Sequence, residues 1–157
     1  MADSWQPFQV WWDEEEREKP KGDFPLFASN VMVGARAVEA LEMSLQGNGE
    51  LLPLLTEGSE IYLYNVTRVV DALNMEKSSG ETFPSGRYMH ISKHVFVKER
   101  LEGVEIFKLP QLYIGKKIYV TDSFMKRIEV AGLTGLIGEE VWSSDVGPKW
   151  QRMMPYS

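Results

Sequence analysis

The chain contains no cysteine. That excludes a disulfide scaffold, a thiolate zinc site and a cysteine nucleophile. Long apolar runs are missing too, so no segment supplies the ~20 consecutive apolar residues of a membrane-spanning helix. The opening residues Met1-Ala2-Asp3-Ser4-Trp5 have neither the basic nor the apolar region of a secretory signal. The expectation is a cytoplasmic protein with no membrane partner. Clustered Lys and Arg are scarce. The pairs Lys116-Lys117 and Lys126-Arg127 are too small for a phosphate-backbone footprint, which excludes direct nucleic-acid binding. No glycine-rich loop ends in Lys-Ser or Lys-Thr. Gly132, Gly135 and Gly138 follow a helical pattern instead of joining a strand to a helix, so they are not a dinucleotide fingerprint.

What is present is a chain of 157 residues, 43% hydrophobic and 25% charged. That length buries a core without staples, and the composition is that of one globular domain. Charge is uneven along it. Residues 1–60 carry 12 acids and 4 bases, net −8, whereas residues 61–157 carry 11 acids and 13 bases, net +2. The acids are densest at Asp13-Glu14-Glu15-Glu16-Arg17-Glu18. Such a run is either a solvated strip or a face that steers a basic partner. Three of the five tryptophans, Trp5, Trp11 and Trp12, lie beside it. Indole rings that bury large apolar areas either cover the core or dock a partner. Residues 1–23 read as an acidic, aromatic arm, 24–142 as the domain, and 143–157 as an irregular tail.

Within the domain, Val38, Leu41 and Leu45 share one face of a helix over 35–46, with Gly47 as its left-handed stop. Leu51-Leu52-Pro53-Leu54-Leu55 is interrupted by proline and reads as an edge strand. Ile61-Tyr62-Leu63-Tyr64 is a strand with aliphatic and aromatic faces. Val66, Val69, Val70 and Leu73 recur at helical spacing and suggest a short helix. Residues 76–87 read as a loop, Tyr88 to Val97 as a strand whose inward face is the alternation Met89, Ile91, Val95 and Val97, and Val104-Glu105-Ile106-Phe107 as another. Phe124, Ile128 and Ala131 define a second helix capped by Thr121 or Asp122 and ended by Gly132. Leu136-Ile137 through Val141-Trp142 reads as a last strand. The expected fold is α+β, a single domain with a mixed or antiparallel sheet and two main helices. The expected core includes Leu41, Leu63, Val95, Phe107, Phe124, Ile128 and Trp142.

Chemistry is poorly represented. His90 and His94 lie in a strand-like alternation, where residues four apart stand about 13 Å from one another. They are not read as metal ligands. Ser123-Phe124-Met125-Lys126 has the spacing of a serine β-lactamase nucleophile without its companion elements. Asn65-Val66-Thr67 is a glycosylation sequon with no secretory context. Glu99, Glu102 and Glu105 read as surface acids beside Lys98 and Arg100. No catalytic residue, metal or cofactor is expected.

The order of segments carries more information. Gly49-Glu50-Leu51-Leu52-Pro53-Leu54 precedes Tyr62-Leu63-Tyr64-Asn65-Val66-Thr67-Arg68-Val69-Val70-Asp71-Ala72-Leu73-Asn74. Phe96 to Gly103, Ile106 to Pro110, Tyr119 to Phe124, Ala131 to Gly135 and Val141-Trp142 follow. In that order and spacing the chain resembles the eleventh catalogued family of immunity proteins from bacterial polymorphic toxin systems, over about residues 24–142. It departs from that pattern at Gly34, where serine is usual, and at Asn74, where aspartate is usual. The resemblance implies a small cytosolic inhibitor that binds a cognate secreted toxin and protects the producing cell. A basic, nucleic-acid- or nucleotide-targeting toxin would suit the acidic segment. Trp11, Trp12, Asp13, Glu14, Glu15 and Glu16 are the expected partner-binding residues, with the 76–87 loop as the competing placement. The alternatives are a non-catalytic interaction module, including a homodimer through a self-complementary apolar patch, and an enzyme with an unrecognised site.

Overall fold

The computed structural model describes residues 4–7, 9, 22–27, 30–58, 60–112, 117–136 and 138–143. Its first half is a four-stranded antiparallel sheet covered by helices. The strands are β1 (Leu26–Phe27), β2 (Asn30–Gly34), β3 (Gly49–Leu54) and β4 (Ile61–Val66), in the order β1-β2-β4-β3. Helix α1 (Ala35–Asn48) carries the chain from β2 to β3, and β4 then inserts between those two. Central β4 is covered on both faces, which explains its two kinds of side chain. Ile61 and Leu63 pack with Met32 and Leu54, while Tyr64 and Val66 face α1 with Val31, Val33 and Leu45. The Tyr64 hydroxyl donates to the Leu45 carbonyl at 2.7 Å and locks helix to sheet. Pro53 sits on edge strand β3, as its missing donor requires.

Helix α1 runs two residues past its expected end, through Gly47. Buried Asn48 closes it instead. Its amide donates to the Ser44 carbonyl at 2.7 Å, its side-chain oxygen accepts from Arg68 at 3.0 Å, and its carbonyl accepts from the Thr67 and Arg68 amides. Helix α2 (Asp122–Val130) ends as expected. Gly132, at φ 68°, is the left-handed residue of a Schellman turn in which the Leu133 amide reaches the Ile128 carbonyl and the Gly132 amide the Glu129 carbonyl. Leu133 is thereby buried against the Phe124 and Ile128 cluster.

The second half is less regular. Hairpin β5 (Ser79–Thr82) and β6 (Tyr88–Lys93) and ribbon β7 (Ile106–Phe107) and β8 (Tyr119–Val120) are both antiparallel. A second core gathers Leu73, Tyr88, Ile91, Phe96, Phe107, Leu109, Leu112 and Tyr119. The β7–β8 ribbon is the wall between the cores. Ile106 and Val120 face the first, and Phe107 and Tyr119 the second, as a period of two dictates.

Five expectations are corrected here. The short helix at Val66–Leu73 is an extended segment. Its backbone pairs sideways, Val70 N–H to Lys108 O at 3.0 Å and Val97 N–H to Ala72 O at 2.7 Å, and stiff β-branched valines suit that conformation. The 76–87 loop contains β5. The strand from Tyr88 stops at Lys93, and its inward phase shifts: Tyr88 and Ile91 are buried while Met89 is exposed, because register breaks in the hairpin insert extra residues on β6. Gly80 sits at one such break, where a Cβ would collide with the β6 backbone at His90 and Ile91. The described residues of the expected last strand form no strand (Ile137 is outside them). Gly135 and Gly138 break it, and Val141 and Trp142 serve as anchors on the second core. Of the expected core, Leu41, Phe107, Phe124 and Ile128 are buried, whereas Leu63, Val95 and Trp142 are half-buried.

Candidate functional site

The two histidines sit in different surroundings. His90 is exposed on β6, and His94, beyond the strand end, is 4% exposed. His94 Nε2 is hydrogen-bonded to the Tyr119 hydroxyl at 2.9 Å, and its ring stacks on Phe96 at 5.9 Å. Burial, with nearby Lys117 and His90 adding to it, pushes the His94 pKa down to about 4, and burial raises that of Tyr119. A neutral histidine and a neutral phenol sealed in a core form a packing contact and a polar lock. Phe96 is the hub of that cluster, with Tyr119, Phe107 and Trp142 at 5.9, 6.1 and 5.6 Å. Among the described residues no three His, Asp or Glu side chains gather where a metal ion could be held.

The remaining sequence candidates resolve into local contacts. Ser123 Oγ shares a hydrogen bond with Thr121 Oγ1 at 3.0 Å, and Lys126 and Arg127 line the outer groove between α1 and α2. Glu105 receives Arg127 Nε at 3.0 Å, whereas Glu99 and Glu102 are exposed. Asn65 donates to Glu50 at 3.0 Å.

One concave feature opens beside the aromatic cluster. It has a volume of about 280 Å³. Phe96, Phe107, Tyr119 and Trp142 form its aromatic side, Leu101, Val120 and Val141 its aliphatic side, and Thr121, Asp122, Glu140 and Ser143 its polar margin. Sequence reading missed this cleft. The only signal was an acid two residues ahead of a tryptophan, Glu140 and Trp142, which gains meaning only when α2 brings Asp122 alongside.

The partner-binding residues expected from sequence, Trp11, Trp12, Asp13, Glu14, Glu15 and Glu16, lie outside the described residues. Of the residues before them, 4–7 and 9 are described. Trp5 Nε1 donates to the Pro53 carbonyl at 2.8 Å, and its ring packs on the cluster of Met32, Leu54 and Ile61. Gln9 forms a parallel bridge with Leu55. Trp5 and Gln9 therefore lie along the outer edge of β3, and Trp5 helps to close the face of the sheet opposite α1.

Fold and surface together define a small α+β protein with a cleft beside a buried aromatic cluster. The family model for Immunity protein family (Imm11) matches residues 54–141, more than half of the chain. The protein belongs to that family, whose function is immunity against a toxin. The matched span runs from the end of β3 through the hairpin, the second core and α2 to the cleft residues Glu140 and Val141. No curated protein matches the chain. No helix among the described residues is long and apolar enough to cross a membrane.

Proposed function

We propose that this protein neutralises a cognate secreted toxin in the cytosol by binding it tightly, one to one and without catalysis. Membership of the immunity family supports the toxin as partner. The charge distribution supports the finer reading: net −8 within residues 1–60 is a field that draws a basic protein, such as one built to act on nucleic acid or nucleotides. In this reading Asp13, Glu14, Glu15 and Glu16 steer the encounter, and Trp11 and Trp12 anchor the complex.

The test is binding kinetics against the toxin encoded beside this gene, at two salt concentrations. Neutralising Asp13, Glu14, Glu15 and Glu16 together slows association and flattens its salt dependence while leaving dissociation nearly unchanged. Trp11→Ala or Trp12→Ala instead speeds dissociation, by about 2 kcal/mol for a buried anchor. If the ring only covered the protein's own core, as Trp5 does, its loss would lower the melting temperature and leave affinity per folded molecule unaltered. Variants that all bind like the parent would place the interface elsewhere.

A further inference from the structure

We propose that the cleft beside α2 is a socket for a basic side chain, arginine or lysine, presented by the toxin; this rests on the immunity reading above. Three features of the cleft fit such a side chain, and the third distinguishes it from a neutral one. Its volume of about 280 Å³ far exceeds the ~10–15 Å³ that one water needs, so a long side chain enters without rebuilding the core. Its inner walls, Leu101, Val141 and the ring of Phe96, are the surface against which a basic residue lays its methylene stem while the charged head stays at the mouth. Its margin offers that head two carboxylates, Asp122 and Glu140, beside the indole of Trp142. Indole is the strongest of the aromatic faces for a cation, and a guanidinium pairs with carboxylates through a planar fork.

The local charge makes the signal specific. Residues 61–157 are net +2, so two acids meeting at one cleft there are not the spillover of a generally acidic surface. The cavity is held in shape from behind. Phe96 and Trp142 meet edge to face at 5.6 Å, Thr121 Oγ1 donates to the Val104 carbonyl at 2.8 Å, and the His94–Tyr119 hydrogen bond braces the far side of the ring cluster. Binding therefore needs little reorganisation, the condition under which one anchoring side chain counts most. The acidic arm and this socket would then divide the work, the arm setting the rate of encounter and the socket holding the complex.

Two arms test the proposal separately from the immunity reading. In the first, the Trp142 indole N–H resonance, identified by its loss in Trp142→Phe, is followed as acetyl-Gly-Arg-Gly-amide is added to the full-length protein. A saturable shift with a Kd of about 10 mM, the scale of one isolated side chain, is expected. It should vanish in Asp122→Asn/Glu140→Gln and be absent with acetyl-Gly-Gln-Gly-amide. No shift, or an equal shift with the glutamine peptide, overturns the socket. In the second, dissociation of the toxin complex is measured for the parent, for Glu140→Gln and for the double variant, each shown by its melting curve to be folded. The double variant should release toxin about tenfold faster, with the single change between. If the parent binds toxin and both variants release it at the parental rate, the socket is refuted and immunity by binding stands. If the parent binds no toxin, the immunity reading falls and this proposal with it.

Discussion

Around α1, the backbone of β2, α1, β3 and β4 closes most of its hydrogen bonds within one helix and one sheet, and its side chains follow the periods of those elements. From residue 67 to 112 the same demand is met by the β5–β6 hairpin with its register breaks, by β7, by isolated bridges, Val69 to Lys108, Leu73 to Phe96 and Tyr88 to Leu112, and by side chains that reach the backbone. Ser78 is typical: its hydroxyl donates to the Val95 carbonyl at 3.1 Å and accepts from the Val95 amide at 3.0 Å. The first region is positioned by local pattern, the second by contacts between segments distant in sequence. The family match covers the whole of the second region, which gives Phe96, Leu101 and Phe107 to the cleft, while residues 119–122 and 140–143 supply the rest of its lining. Every residue that lines the cleft belongs to the second half of the chain.

The sharpest way to break this comparison is to ask whether the two cores unfold together. Phe124 belongs to the first core and Phe107 to the second, and both are fully buried. Phe124→Ala and Phe107→Ala should each cost about 3–5 kcal/mol. The shared β7–β8 ribbon predicts one cooperative transition for both variants by circular dichroism and by near-ultraviolet signal. Two separated transitions in Phe107→Ala would show that the ribbon does not couple the cores.

A smaller effect belongs to the second region alone. His94 is neutral in the folded protein, with a pKa near 4, against an ordinary value of 6.5. Between those values the unfolded chain binds the proton and the folded chain does not. Stability is therefore complete above pH 6.5, falls as pH drops towards 4, and levels off below it. The 2.5-unit gap corresponds to about 3 kcal/mol at most. Urea midpoints from pH 7 to pH 4 should track that loss, and His94→Gln should flatten the part of the profile due to this group. An unchanged slope in His94→Gln would mean that other groups carry the acid sensitivity.

The junction between regions is predicted to be the mildest of the three. Asn48 ties the end of α1 to Thr67 and Arg68, where the regular half gives way to the irregular one. Asn48→Ala leaves the Arg68 guanidinium and the Ser44 carbonyl without those partners, for about 1–3 kcal/mol. A chemical denaturation curve indistinguishable from the parent would show that water replaces the asparagine at no cost.

Legibility in sequence follows the same division. Helix α2, its Schellman glycine and the two-faced strand β4 were readable because their side chains obey the local period and their stop signals are local. Asn48 as the true end of α1 was not, since its value lies in Arg68, which sequence separates by 20 residues. The valines at 66, 69 and 70 imitated a helix, because spacing alone does not show that Lys108 and Phe96 will pair with that stretch. Met89 was placed on the wrong face, since a register break in a hairpin is invisible to an alternation of two. The arm gave its charge and its tryptophans at once, and Trp5 takes the core-covering role open to it. The cleft was illegible for the plainest reason: Asp122 and Glu140 are 18 positions apart, and only the fold brings them to one margin.

The central claim, that this chain protects by occupying a toxin, is tested most directly by titrating the purified protein into the toxin encoded beside its gene while following the toxin's activity. Stoichiometric inhibition is predicted, with toxin activity falling linearly to zero at one equivalent, a one-to-one complex by light scattering and no turnover of toxin or its substrate by the inhibitor. Full toxin activity at a large molar excess, or inhibition by substoichiometric amounts with chemically altered toxin, would contradict it.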